Sequence, residues 1–321
     1  MRIARRLALG ASLLALVLSA CTTGGGSQSP SGSAGTSGAA DLPEITVGSA
    51  GFYESALVAE IYAQALEAEG FTVERQLEIG ARDVQFAAFT SGEINLMPEY
   101  IGSMVRFLAE NEDLEGEATA DTAETLAALQ AQLAQLDTPA TALDASPGTD
   151  ADGFVVRQET ADELSLATMS DLAEVADQLT WGLPAECGDN PSCGPGLNEV
   201  YGIDISTLDV NNYEACTPAM AEALNGDEID VAEVCTTQPD IERFNFVLLE
   251  DDGGLAPAQN IAPVLTQELA DAGGATLADT LNAVSELLTT EELTRLGVEV
   301  AVNQTSFEDA AAQWLEDNGL V

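Results

Sequence analysis

The side chains whose types and spacing could carry chemistry in this 321-residue chain are four cysteines and two carboxylate pairs. Cys187, Cys193, Cys216 and Cys235 could hold a soft metal or close disulfides. Their spacing forms no paired CxxC knuckles, and the chain contains no histidine to complete a zinc site. Disulfides are therefore expected, with three connectivities open to four cysteines. The short gap between Cys187 and Cys193, crossed by Gly188, Asn190 and Pro191, could close a small loop. We expect Cys187 to join Cys193 and Cys216 to join Cys235. The pairs Asp150/Asp152 and Asp251/Asp252 would suit a hard cation, but no EF-hand alternation of Asp and Gly surrounds them. Neither a metal nor a cofactor is expected.

All nine basic residues are arginine, so lysine is absent along with histidine. This removes His-based acid–base catalysis, the Schiff-base lysine and the phosphate-loop lysine. Hydrolases built on a Ser-His-Asp triad, zinc-histidine proteases, pyridoxal enzymes and Walker-type ATPases are excluded by counting, and no enzyme is expected. Against those nine stand 55 acidic residues, a net charge of −46. Nucleic acid and anionic membrane surfaces should be repelled, which leaves neutral, zwitterionic or cationic partners. Much of the excess also reads as solubility in a salty habitat.

Three of the arginines, Arg2, Arg5 and Arg6, precede an apolar stretch from Leu7 to Leu18. Basic then apolar is the order of a secretory signal, here residues 1–20, and the stretch is too short to span a bilayer comfortably. Leu18-Ser19-Ala20-Cys21 resembles the bacterial lipobox, which implies that Cys21 is lipidated and becomes the mature first residue. Residues 21–40 are Cys21 followed by Gly, Ser, Thr and Ala with one Gln, one Pro and no charge, a flexible tether reaching about 24 Å. The expected location is outside the cell, lipid-anchored to the outer face of the cytoplasmic membrane. No later segment is apolar and long enough to span it.

The elements that must position the candidate residues alternate strand and helix. Ile45 to Val47 is a strand, Ser55 to Gly70 a helix with Leu57, Val58, Ile61, Tyr62, Ala65 and Leu66 on its apolar stripe, and Phe71 to Leu77 a strand. Arg82 to Ser91 is a helix and Ile94 to Met97 a third strand, which makes a β-α-β-α-β unit and implies a parallel sheet. Residues 115–136 read as helical. A second alternation follows the Pro/Gly/Asp-rich stretch 144–153, with strands at 154–156, 180–183, 207–210, 229–234 and 244–249. The last sixty residues read as mainly helical. Two α/β lobes result: 41–148, then 149–254, then a return to the first lobe over 255–321. Two crossovers join them, and a cleft should lie between them at the ends of parallel strands.

Along residues 44–321 the chain resembles the substrate-binding proteins of osmoprotectant ABC transporters, the glycine betaine, choline, carnitine and proline betaine group. The resemblance rests on the order and spacing of Val47-Gly48-Ser49, the run EIYAQALEAEG from Glu60 to Gly70, Ser91-Gly92-Glu93-Ile94, Pro98-Glu99-Tyr100-Ile101-Gly102, Asn225-Gly226-Asp227-Glu228-Ile229-Asp230-Val231-Ala232, Thr236-Thr237, Leu249-Glu250-Asp251-Asp252 and Ala262-Pro263. It implies an α/β, two-lobed type II periplasmic-binding fold that captures a small solute and docks on an ABC permease with its ATPase subunit.

The same resemblance maps the pocket. Tyr100 matches a cage tyrosine, Ser103 takes the place of a usual threonine, and Asp150 matches an acidic pocket residue. Elsewhere the chain departs from the pattern. Ala50 stands where a lysine is frequent, Asn190 where an arginine is expected, and Asp152, Cys235 and Gln259 where rings complete the cage. Losing cations weakens the hold on a ligand carboxylate, and losing rings weakens the pull on a trimethylammonium. Asp152, Asn190 and Gln259 instead offer acceptors and amides. A polar neutral or cationic solute is therefore preferred, with betaine or choline kept and an amine, amino-acid derivative or polyol as the alternative. Tyr53, Trp181, Tyr201 and Tyr213 read as packing residues. Two rival functions fit less well. Porphobilinogen deaminase shares the two-lobe plan but needs a basic cleft, and a calcium-binding surface lipoprotein lacks its calcium loop.

Overall fold

The computed structural model describes residues 43–188, 190, 192–214 and 216–321. The expected signal, Cys21 and the tether lie outside them. The chain opens with β1 (Glu44–Gly48), α1 (Tyr53–Ala68), β2 (Thr72–Gln76), α2 (Arg82–Ser91), β3 (Leu96–Tyr100), α3 (Ile101–Asn111), α4 (Thr122–Leu133) and β4 (Ala140–Ala142). Next come β5 (Asp152–Arg157), α5 (Gln158–Leu164), α6 (Met169–Ala173), β6 (Thr180–Leu183), α7 (Gly194–Tyr201), β7 (Asp209–Asn212), α8 (Pro218–Asn225), β8 (Val231–Cys235), α9 (Asp240–Phe244) and β9 (Phe246–Leu248). The chain ends with β10 (Ile261–Thr266), α10 (Gln267–Leu287), α11 (Thr290–Gly297), a π turn over Val298–Val302 and α12 (Phe307–Asp317).

These strands build two five-stranded sheets, in the orders β2-β1-β3-β10-β4 and β7-β6-β8-β5-β9. In the first, β1 runs parallel to β2 and β3, while β10 is antiparallel to β3 and β4. In the second, β6 runs parallel to β7 and β8, while β5 is antiparallel to β8 and β9. The two lobes thus share one plan, and in each the antiparallel strand is the first one the chain forms on arriving from the other lobe.

The apolar run of α1 explains why it is buried on nearly every side, since it is sandwiched between the sheet and α10 and α12. Its Tyr62 is fully buried and its hydroxyl is satisfied by Ser285 Oγ at 3.0 Å, which ties α1 to α10. The second lobe centres on Trp181, also fully buried, whose indole N–H donates to Ala176 O at 3.0 Å and whose ring packs edge-on to Phe154.

Several expectations shift. The helix expected from 115 starts at Thr122, because Asp121 accepts the Glu124 N–H and caps it there. The strand expected from 244 starts at Phe246, because α9 occupies the preceding residues and ends on Asn245 with φ +54°. The first helix of the mainly helical last sixty residues is α10, which is kinked at Gly274, where φ +57° and ψ −149° are accessible to glycine alone.

Two segments cross between the sheets, one leading into β5 and one leading into β10. They pair with each other through an antiparallel bridge between Thr149 and Asn260. Asn260 Nδ2 donates to Ser146 O at 2.9 Å, and Asn260 Oδ1 accepts from the Thr122 hydroxyl at 2.9 Å. Thr236, just after β8, accepts the Ala151 N–H and donates to Thr149 O. Each crossover is therefore held at a fixed register beside the ends of β3 and β8.

Candidate binding cleft

At the carboxyl ends of β1 and β8, where parallel strands leave backbone loops free to meet a ligand, the lobes face across a cleft of about 690 Å³. Phe52, Tyr53 and Glu54 enter it from the start of α1, Cys235, Thr237 and Gln238 from the end of β8, and Asp150 from the first crossover. The loop before α1 is fixed by local bonds: Ala50 N donates to Ser55 Oγ at 3.0 Å, Gly51 N to Gly80 O at 2.7 Å, and Ser49 Oγ accepts Glu78 N at 2.7 Å. Phe52 remains 41% exposed, an apolar ring presented to the cleft.

Glu54 is the unusual member. It is 3% exposed, and its Oε1 accepts the Tyr100 hydroxyl at 2.6 Å, while its Oε2 is buried with no hydrogen-bond partner among the described residues. Asp150 Oδ1 is likewise buried and unpartnered. Burial, then the charge of Asp150, push the Glu54 carboxyl up to about 8, with the Tyr100 and Thr237 bonds working against the shift. Burial pushes Asp150 up to about 6, opposed by the Thr237 hydroxyl and backbone N–H and reinforced by Asp152. Asp152 is raised by burial and held back by Arg106. The hydroxyl of Tyr53 is raised by burial and then by Glu54, Asp150 and Asp240. The cleft's own cation, Arg243, is engaged: Nη1 pairs with Asp240 Oδ1 at 3.2 Å and the guanidinium lies 4.6 Å from the centre of the Phe244 ring.

The residues singled out from the sequence fall in four places. Asp150 lines the cleft, and Tyr100 lies behind Glu54 within the core of the first lobe, its ring 5.9 Å from that of Phe52. Ser103 and Gln259 meet each other. The first-turn N–H groups of α3 need acceptors, and the second crossover supplies them: Asn260 O to Ile101 N, Ala258 O to Gly102 N, and Gln259 Oε1 to Ser103 N at 3.0 Å. Gly102 permits this approach, since a Cβ there would lie 2.5 Å from Ala258 O. The backbone carbonyl of Gln259 then accepts Asp150 N at 3.1 Å, so the cap and the cleft share one strut. Asp152 lines a second hollow of about 450 Å³ with Thr149 and Thr236. Asn190 sits in the loop between Cys187 and Cys193, its Oδ1 accepting Ser192 N at 3.0 Å, and is not among the described residues lining the cleft.

Both disulfides are formed, Cys187 with Cys193 and Cys216 with Cys235. The second is part of the cleft wall, with Asp152 opposite Cys235 in the strand register. The two groups of close metal-ligand types among the described residues, Asp152 with Cys216 and Cys235 and Glu233 with Cys187 and Cys193, each contain a disulfide, whose sulfurs are not thiolates. Glu54 escaped the reading of the sequence although a signal was present, a carboxylate on the stripe that continues through Leu57, Val58 and Ile61.

The profile of the substrate-binding domain of ABC-type glycine betaine transport systems matches residues 43–317. The glycine betaine-binding protein YehZ of Escherichia coli K12 is 24% identical over 283 residues, 86% of this chain and 90% of that protein. The carnitine transport binding protein OpuCC of Listeria monocytogenes is 25% identical over 285 residues, 88% of this chain and 89% of that one. Among solved structures, apo YehZ from Escherichia coli superposes with a TM-score of 0.76 at 22% identity, covering 87% of this chain and 99% of that chain. A lactococcal OpuAC in a closed form with glycine betaine gives 0.52 at 15% identity, covering 86% and 96%. The shared fold is the two-lobed type II periplasmic-binding arrangement.

Proposed function

This chain belongs to the family of substrate-binding domains of ABC-type glycine betaine transport systems, and from that membership we propose that it captures a small cationic amine, quaternary or otherwise, between its lobes and delivers it to a membrane permease driven by an ATPase subunit. The observation that carries the reading is the cleft itself. Its volume of about 690 Å³ suits a small solute, and its wall combines the Phe52 ring with the carboxyls of Glu54 and Asp150. A ring face and carboxylates both attract a cation, the first through its quadrupole and the second through charge.

The anchor completes the proposal. Among the described residues no helix is long and apolar enough to cross a membrane. A lipid on Cys21 would hold the protein at the outer face of the cytoplasmic membrane, with residues 22–40 letting the lobes reach the permease. Mass spectrometry of membrane-extracted protein should find a diacylglyceryl-modified Cys21 as the first residue.

Thermal unfolding with glycine betaine, choline and carnitine at millimolar concentration tests the solute class. A solute that binds only the folded state raises the midpoint by linkage. At least one of the three should do so where the captured amine is quaternary, and a midpoint unmoved by all of them would contradict that form of the proposal.

A further inference from the structure

We infer that the Glu54–Asp150 carboxyl pair makes the cleft select solutes that are net cations and carry an N–H, in preference to zwitterionic betaines, and that such a solute binds with release of a proton from the pair. The inference rests on the cleft being the solute site. Its first support is geometric. Glu54 Oε2 and Asp150 Oδ1 are buried acceptors without partners, and both residues line the cleft. A buried acceptor left without a donor is costly, so a ligand that donates to it recovers what the empty protein forgoes. An ammonium with an N–H can donate, whereas a trimethylammonium has no N–H to give.

The second support is charge. A betaine carboxylate entering this cleft would meet Glu54, Asp150 and Asp240 in its wall, with Asp152 close behind Asp150. The cation within reach, Arg243, is already bound to Asp240. The remaining neighbours of the pair do not change the balance. Tyr53 and Tyr100 are held neutral by burial, the charge of Glu99 is answered by Arg82 at 3.1 Å, and Arg106 acts on Asp152.

Proton release follows from the same arrangement. With burial raising both carboxyls and the charge of Asp150 raising Glu54 further, the empty cleft at neutral pH holds a proton on the pair. An entering cation supplies the positive charge that the proton had supplied. One carboxyl O–H bond breaks, its proton passes to the buffer, and the freed carboxylate accepts the N–H of the ligand.

Four probes in two matched pairs test this by titration calorimetry at pH 7: choline and N,N-dimethylethanolamine, glycine betaine and N,N-dimethylglycine. Dimethylethanolamine should bind tightest, about tenfold over choline, as one added charge-assisted hydrogen bond implies. Both zwitterions should bind more weakly than the cation of the same pair type. Repeating the titration in phosphate and in Tris should show up to one proton released per dimethylethanolamine bound. Glu54→Gln should abolish the release and shrink the preference over choline below threefold, with the circular dichroism of the folded chain retained. Glycine betaine binding tightest, heats that do not depend on the buffer, or no binding by any probe would each overturn the inference. Ala301→Trp, which fills the exposed mouth of the cleft, keeps the two readings apart. Betaine preference that is lost in Ala301→Trp overturns the selectivity and leaves the cleft as the site, while binding that persists in Ala301→Trp overturns the cleft itself.

Discussion

The Tyr100 hydroxyl donates to Oε1 of Glu54 at 2.6 Å, joining the end of β3 to the first turn of α1 within the buried floor of the cleft. The bond satisfies one oxygen of a carboxyl that is otherwise enclosed and leaves the other buried without a hydrogen-bond partner among the described residues. Tyr100→Phe keeps the ring and removes the donor, so Glu54 Oε1 loses the Tyr100 hydrogen bond. The expected cost is about 1 kcal/mol of folding stability together with weaker binding of cationic solutes. Tyr100→Ala should cost more in both, roughly 2 kcal/mol or thirtyfold in affinity plus a core cavity, because the ring packs in the first lobe. Denaturant titration and calorimetry on the two variants check this, and a Tyr100→Phe protein equal to the parent in both would remove the bond from the account.

The raised carboxyls make stability depend on pH with a definite sign. Glu54 sits at about 8 in the folded chain against 4.5 for the free side chain, and Asp150 at about 6 against 3.8. Between the free and folded values the native state retains protons that the unfolded chain has lost, so each group's contribution falls as pH rises through that window. The empty protein should therefore lose stability from about pH 4 to pH 8, beyond the general repulsion of a chain with net charge −46. Glu54→Gln should flatten the Glu54 portion and be more stable than the parent at pH 8 by roughly 1–3 kcal/mol. Urea midpoints at constant ionic strength measure the difference, and parallel curves for the two proteins would contradict it.

The disulfide between Cys216 and Cys235 closes a loop of sequence separation 19 and forms part of the cleft wall. Replacing both cysteines by serine should cost about 3 kcal/mol through the freed unfolded chain. Solute affinity should also fall, since α8 and the end of β8 lose their covalent tie beside Thr237. The corresponding change at Cys187 and Cys193 should destabilise the second lobe with affinity nearly unchanged. Non-reducing peptide mapping followed by calorimetry separates the two cases.

The Gln259 side chain caps the backbone N–H of Ser103, so variants of Gln259 should report on folding. Gln259→Ala leaves the Ser103 N–H without its acceptor and should cost about 1 kcal/mol, the usual worth of a cap. Affinity should change less than threefold. A large loss of affinity at unchanged stability would place the Gln259 amide on the solute instead.

Much of the fold was legible because its elements carry local signals. The stripe of α1, the alternation in β2 and the apolar core of β6 each identify their element without help from the rest of the chain. What the sequence hides depends on tertiary partners. β10 is buried along its whole length and contains Pro263, so it shows neither alternation nor a clean strand composition. It is tolerated because Pro263 lies opposite Pro98 of β3, a pair that needs no N–H from either residue. The start of α3 is equally silent, since its cap comes from residues 258–260, far along the chain.

The site was legible in part for the same reason. Asp150 stands in a crossover recognisable by its Pro, Gly and Asp content, and Tyr100 ends a motif. Ser103 and Gln259 read from the sequence as ligand groups, and only the packed structure shows that the Gln259 side chain caps the backbone N–H of Ser103. Glu54 looks like an ordinary acidic residue in a first helical turn, and only the packed structure shows that it is enclosed against Tyr100.

A solute held between the two lobes at Glu54 and Asp150 should leave its footprint in hydrogen–deuterium exchange measured with and without the tightest-binding solute of the panel. Peptides covering residues 50–56, 148–153 and 235–241 should gain protection together, since they belong to the first lobe, the crossover and the second lobe. The groove beside α12, lined by Gln64 and Glu316, should remain unchanged. Protection confined to one lobe, or centred on that groove, would contradict the account.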